Sequence, residues 1–322
     1  MGITLSIFFF LACFALPQQD AALAATGPSA NGMGTNNPPL VLTADEKALL
    51  AEKQALVNEF SLMRQGNASQ ATFIADWGRF KLNHHLSHGA SVMGSISPSL
   101  SSAAVVSMLP AITLNITQEP QFQPYYCGPA AVEEMLLGMG FPIGPHGENL
   151  NAASFPSAGQ VVLANNTYLQ TDSNPDPKLR GTNWSAGPGG TVHVVPATLN
   201  AWIHSNFYVP VNASTMSIAS YENDIIFDIA NGFPVAAGIH EDVNTPHLTG
   251  HGGQFLTTLN HWIAIRGYTA SGGMTTYNDS IHGVPSGWGW TPPPPAPQIP
   301  ATSTVSSGGI IWPLIQPFGI VA

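Results

Sequence analysis

The sequence predicts an α+β protein, with a helix that opens at a cysteine, a strand hairpin after it and a helical module ahead of it. Three observations predict it. Apolar residues recur at helical spacing before residue 64 and again after residue 127. A stretch beginning at His261 alternates like a strand and is followed by a glycine-containing turn and a second strand. Gly (32) and Pro (28) are frequent enough to punctuate a loop-rich chain of 322 residues, long enough for one large domain or a domain with an appendage.

The first element is an apolar run from Ile3 to Leu16, followed by Pro17 and by Ala22-Leu23-Ala24, which has the small-x-small form of a signal peptidase site. Residues 1–24 are therefore expected to direct export, to the outside or to the periplasm and cell envelope. No later stretch reaches the ~18 unbroken apolar residues that a membrane span needs. Removal of this segment takes Cys13 with it and leaves Cys127 as the single thiol. A secreted chain with one thiol cannot use it for an internal disulfide, so it is a buried spectator, an intermolecular partner or a nucleophile.

Residues 25–112 are read as a helical N-terminal module. Thr43-Ala44-Asp45-Glu46 has the form of a capping box, and Leu49, Leu50, Leu56, Val57, Phe60 and Met63 carry a helix to about Arg64. A second helix is expected from Ser69, with Phe73, Ile74, Trp77 and Phe80 on it. Pro-segment, docking module and plain packing are all open for this region.

The main domain is placed at 113–290. Charged residues are only 8% of the chain, about a third of the usual share. From Thr113 onward three bases face twelve acids. Nucleic-acid binding is excluded on this ground, because neutralising phosphates needs clustered Lys and Arg. Thr291 to Pro297 is a stiff polyproline II-like linker, and the apolar tail from Gly309 to Ala322 needs burial, as an extra strand or extended arm.

Pro129 suits the first turn of a helix, and Val132, Met135, Leu136 and Met139 follow at one face until Gly138, Gly140 and Pro142 stop it. Cys127 thus sits at a helix N-terminus, where free N–H groups and the helix dipole favour a thiolate, the form that attacks carbonyls. His261, Ile263 and Ile265 share one face of the later strand, and a hairpin symmetric about Ala270 sets His261 opposite Asp279. Directly opposed side chains are close enough for a carboxylate to orient an imidazole. A bulge in the turn would bring Asn278 or Ser280 there instead, so Asn278 is the alternative orienting residue.

Gln121, five intervening residues, then Cys127-Gly128-Pro129-Ala130-Ala131 and an apolar helix resemble the papain-like superfamily, in particular exported relatives of cysteine peptidase family 39, the bacteriocin-processing or double-glycine peptidases. Gly232-Phe233-Pro234-Val235, His261-Trp262 through Gly267-Tyr268, and Asn278-Asp279 resemble the same family in the same order, over about 115–285. Ser280 departs from the Pro that commonly follows the Asp, and insertions are expected at 145–195 and 240–258. The resemblance implies a papain-like fold, with the helix carrying Cys127 packed on a twisted antiparallel sheet, a peptide or protein substrate and no cofactor. It also implies Cys127 as nucleophile, His261 as base, Asp279 as its orienting acid and Gln121, or else Gln123, as an oxyanion donor beside the Cys127 N–H. Acyl-enzyme chemistry is shared by amidases and transpeptidases acting on cell-wall peptides, and a binding or adhesion module could retain the fold without turnover.

His84, His85 and His88, and His247 with His251, raise the question of a metal, but no neighbouring Cys or Glu completes a zinc motif and packing is the expectation. Trp288 and Trp290 are likewise expected to pack rather than to form a substrate platform. Of six Asn-x-Ser/Thr sites, Asn278 is expected to be unmodified, since a glycan would crowd Asp279. Nothing in the sequence indicates the oligomeric state.

Overall fold

The computed structural model describes residues 33, 37–86, 111–151, 158–251, 258–269, 272–284 and 299–322. The export segment, residues 95–110, His88, Trp288, Trp290 and the proline run lie outside them.

Helix α1 (Ala44–Arg64) starts at the expected capping box: Glu46 N–H donates to Thr43 Oγ1 (3.2 Å) and Thr43 N–H to Glu46 Oε2 (2.8 Å). Helix α2 (Gln70–Asn83) is capped by Ser69. Strand β1 (Ile112–Thr113) is short, and helix α3 (Cys127–Gly138) follows it, ending where its glycines and Pro142 predict. Helices α4 (Ala158–Ala164) and α5 (Val194–Ile203), strand β2 (Pro210–Asn212) and helix α6 (Ile218–Ala230) lead into the sheet. The sheet is built mainly from β3 (Val235–Glu241), β4 (Leu259–Tyr268) and β5 (Met274–Asn278). The tail supplies β6 (Thr302–Ser306), the one-turn helix α7 (Trp312–Ile315) and β7 (Gly319–Val321).

Helices and an antiparallel seven-stranded sheet make this an α+β fold, with strand order β2-β7-β3-β4-β5-β6. The pairing of β3 with β4 ends at Val235 and Ile265, and β1 continues that row on Gly267 and Tyr268. Of the two expected forms, extra strand or extended arm, the tail takes the strand. β6 closes one edge beside β5, while β7 slots between β3 and β2, so the chain's last residues lie inside the sheet. Gly319 makes this possible: its φ of 149° and the Val211 carbonyl against its Cα leave no room for a side chain.

One apolar cluster joins all layers. Phe60 of α1, Phe73 and Trp77 of α2 and Phe227 of α6 meet edge to face or tilted, with ring centroids 5.1–6.3 Å apart, in the preferred range for aromatic pairs. Helix α3 packs against β4 and β3, and its N-terminus meets the strand that carries His261.

Candidate active site

The loop before the cysteine is held from several sides. Tyr126 Oη donates to Asp172 (2.5 Å), and Arg180 donates to Tyr125 Oη (3.1 Å) while lying 3.7 Å from the same aspartate. Gln121 N–H donates to the Ser280 carbonyl (2.8 Å), and Ser280 Oγ donates to Gln121 Oε1 (3.1 Å), tying this loop to the end of β5. Cys127 then opens α3, and no side chain caps the helix's first turn. A free N-terminus of this kind favours negative charge.

Gly128 lets the helix approach its neighbour. A methyl group there would run into the Thr182 hydroxyl, whose partner is Thr171 (2.8 Å) and whose carbonyl accepts from Trp262 Nε1 (3.0 Å). Gly128→Ala is therefore expected to lower stability by about 1–3 kcal/mol, as overpacked cores do. A fall in the urea unfolding midpoint checks this, and an unchanged midpoint would place Thr182 elsewhere.

The thiol of Cys127 accepts a hydrogen bond from the Trp262 N–H (3.3 Å), so helix and strand meet at the sulfur. His261 Nε2 is bonded to Asp279 Oδ1 (3.1 Å), and the same imidazole has the Cys127 thiol as a further side-chain partner. Cys127, His261 and Asp279 are all no more than 1% exposed. Burial opposes charge on His261, but the neighbouring Cys127 sulfur, then Asp279, pull the other way and hold its pKa up at about 10. Burial likewise pushes Asp279 up, yet the two imidazoliums beside it, His251 and His261, hold it far below the usual carboxylate range.

The hairpin reaches this arrangement by a different register from the expected one. His261 does not stand directly opposite Asp279. The turn is wider than a hairpin symmetric about Ala270, so Tyr268 pairs with Thr275 rather than Gly272, a displacement of three. A bulge between Ile265 and Gly267 then takes one residue back, and Ala264 pairs with Asn278 rather than Thr276. The net slip of two is even, and strand side chains alternate with a period of two, so Asp279 keeps the His261 face. It reaches the ring diagonally. Asn278 falls on the other face, where Arg266 (3.2 Å) and Thr302 (2.8 Å) donate to its Oδ1 and its Nδ2 donates to the Ile116 carbonyl (3.2 Å). That burial also leaves no space for a glycan.

Gln121 is brought to the Asp279 side of the site, but its amide is already engaged: Nε2 donates to the carbonyls of Gln123 and Pro124, both at 3.0 Å. Gln123 takes part through that carbonyl.

One histidine belongs here that sequence reasoning treated as packing. His251 is fully buried, with Nε2 2.7 Å from Asp279 Oδ2 and Nδ1 2.9 Å from Glu241 Oε2. His247, 3.9 Å from Glu241, stays at the periphery. His84 pairs with Glu52 (2.9 Å), far along the chain from these groups. Among the described residues no cluster of three or more His, Cys, Asp or Glu is arranged to hold a metal, and no helix is long and apolar enough to cross a membrane.

Residues 113–288 match the family model described as the Peptidase_C39 like family. None of the curated proteins matches the chain.

Proposed function

The chain belongs to the Peptidase C39-like family, and on that premise we propose that it is an exported cysteine peptidase of papain-like fold working through Cys127, His261 and Asp279. One observation carries the reading. A single buried imidazole is hydrogen-bonded to a thiol on one side and to a carboxylate on the other. A nucleophile, a base and a third group that fixes the base are the parts acyl transfer needs.

In this mechanism the Cys127 sulfur attacks the scissile carbonyl while His261 holds the thiol proton. The tetrahedral oxyanion takes the Cys127 N–H, and Gln121 Nε2 joins it by releasing one of its two carbonyl bonds; each such donor is worth about 10²–10³ in rate. His261 Nδ1–H then protonates the leaving amine, which departs and leaves an acyl-enzyme. A water attacks that acyl group, giving its proton back to His261, and the acid product leaves with the thiolate restored. Asp279 stays ionised throughout and keeps His261 in the tautomer that faces sulfur. The apolar run and Ala22-Leu23-Ala24 support export.

Because the thiol has no exposed surface, reagents reach it only when the surrounding segments part. The test is therefore comparative. Alkylation of Cys127 by iodoacetamide between pH 5 and 9 should be at least about 10-fold faster in the wild type than in His261→Ala, since the thiolate is the reactive form. Equal rates would sink the thiol–imidazole pair.

A further inference from the structure

His251 lies outside the three residues of the proposed mechanism, yet it is bonded to one of them. It comes from the 240–258 segment between β3 and β4, and it is fully buried, as is Glu241 at the end of β3. The loop that carries it is pinned twice: Leu248 N–H donates to Glu241 Oε1 (2.7 Å) and Thr249 N–H to Tyr277 Oη (3.0 Å). Both ring nitrogens of His251 face carboxylate oxygens, Glu241 at 2.9 Å and Asp279 at 2.7 Å. A neutral imidazole has one N–H to give, so two carboxylate acceptors require the doubly protonated ring.

On the reading that Cys127, His261 and Asp279 perform acyl transfer, we propose that His251 and Glu241 are positioning residues for it. His251, as a buried imidazolium clamped by Glu241, keeps Asp279 ionised and leaves its Oδ1 turned to His261. The charges then alternate along one buried row from Glu241 through the His251 imidazolium and the Asp279 carboxylate to the His261 imidazolium, which faces the Cys127 sulfur.

The arrangement has a direct geometric content. Asp279 Oδ2 is taken by His251, while Oδ1 receives His261 (3.1 Å) and the Ile281 N–H (2.9 Å). With Oδ2 fixed, the carboxylate cannot swing away from His261. The charge content is equally specific. The His251 and His261 rings are 6.2 Å apart, so a charge on His251 also acts on the sulfur end of the row. Among the described residues the titratable groups that meet His251 include Glu241 from β3, His261 from β4 and Asp279 at the end of β5, while Tyr277 holds the Thr249 N–H of its loop and His247 lies 3.9 Å from Glu241. Burial works against charge on His251, and Asp279 and then Glu241 overcome it, raising its pKa to about 9.

Glu241→Gln separates charge from shape. The amide can still accept from Leu248 through Oε1, and its Nε2 can donate to His251 Nδ1, which leaves His251 with its proton on Nε2 and the bond to Asp279 intact. Only the two charges are lost. His251→Gln removes the ring itself. Full-length protein carrying ¹³Cε1-labelled histidine is to be titrated by NMR from pH 5 to 10, and Cys127 alkylation by iodoacetamide measured at pH 7 on the same samples, in wild type, Glu241→Gln, His251→Gln and His261→Ala. The His251 resonance, assigned by its absence in His251→Gln, is expected to titrate near pH 9 in the wild type and about 1–3 units lower in Glu241→Gln, the size of shift that a neighbouring opposite charge produces. Alkylation should slow about threefold in Glu241→Gln and about 10-fold or more in His251→Gln, the range expected on losing a hydrogen-bond partner that orients a working group. A His251 resonance that titrates near the ordinary 6.5 overturns the proposal. So do wild-type alkylation rates in Glu241→Gln, whose isosteric change keeps the test valid even where His251→Gln does not fold. A His261→Ala rate equal to wild type would instead overturn the underlying thiol–imidazole reading.

Discussion

Replacement of His261 by alanine is expected to lower kcat/KM by about 10⁴–10⁶, because members of a catalytic unit lose most of the rate when any one is removed. Three separate losses contribute. On the proposed mechanism the thiol at α3 loses its proton acceptor and the leaving amine its proton donor, and Asp279 loses one of the two cations that hold it ionised. The pH profile carries a further signature. A histidine held up at about 10 stays protonated across the neutral range, so the wild type should hold its activity through pH 8 and lose it only as pH approaches that value. A decline centred near 6.5 would mean that the sulfur and Asp279 do not stabilise the imidazolium. The linkage to stability has the matching sign. The folded pKa lies above the unfolded one, so the stabilising contribution of His261 is fully present below about pH 6.5 and is lost as pH rises towards 10.

Lys53→Ala is expected to cost about 3–5 kcal/mol of stability, the usual consequence of leaving a buried charge without its partner. Lys53 is on α1 and is 3% exposed. Its Nζ lies 3.0 Å and 3.2 Å from the two oxygens of Asp228 on α6 and 3.5 Å from the centre of the Phe207 ring. Asp224, one turn away on the same helix, is held by Gln54 (3.5 Å). Two carboxylates thus face one ammonium. Burial, then Asp228, push Asp224 up to about 7, and burial lifts Asp228 to about 6 against the pull of Lys53. Raised carboxylates bind protons on folding, so their favourable contribution is complete below about pH 4 and disappears as pH rises through 6 to 7. Removing the ammonium lifts both further, and the Lys53→Ala deficit should be larger at pH 8 than at pH 5. Urea titrations at the two pH values check both the size and the trend, and an equal deficit at both would contradict it.

Local signals explain what was legible in the sequence. The Thr43 capping box, the Ser69 cap and the stop at Gly138 to Pro142 are decided within a few residues, and all three helices begin or end where those signals stand. The face of Asp279 was legible because parity survives an even slip; the partner directly across from His261 was not, since a wide turn and a bulge are set by packing rather than by turn residues. The route of the tail was hidden for a similar reason. Apolar residues after Gly309 announce burial, but insertion between β3 and β2 depends on a vacant strand edge far away in the chain. His251 carries no local mark at all. It sits in a glycine-rich loop, and its meaning arises only when β3 supplies Glu241 and the end of β5 supplies Asp279. The engagement of the Gln121 amide with two carbonyls of its own loop was equally invisible to spacing.

The most direct measurement is cleavage of a proteome-derived peptide library by the purified full-length protein, read by mass spectrometry beside Cys127→Ala. New peptide ends in the wild-type sample, sharing a recognisable pattern around the cut and absent from a Cys127→Ala sample that unfolds at the same urea concentration, are the result predicted here. The same peptide ends in both samples, or none in either, would contradict catalysis by Cys127.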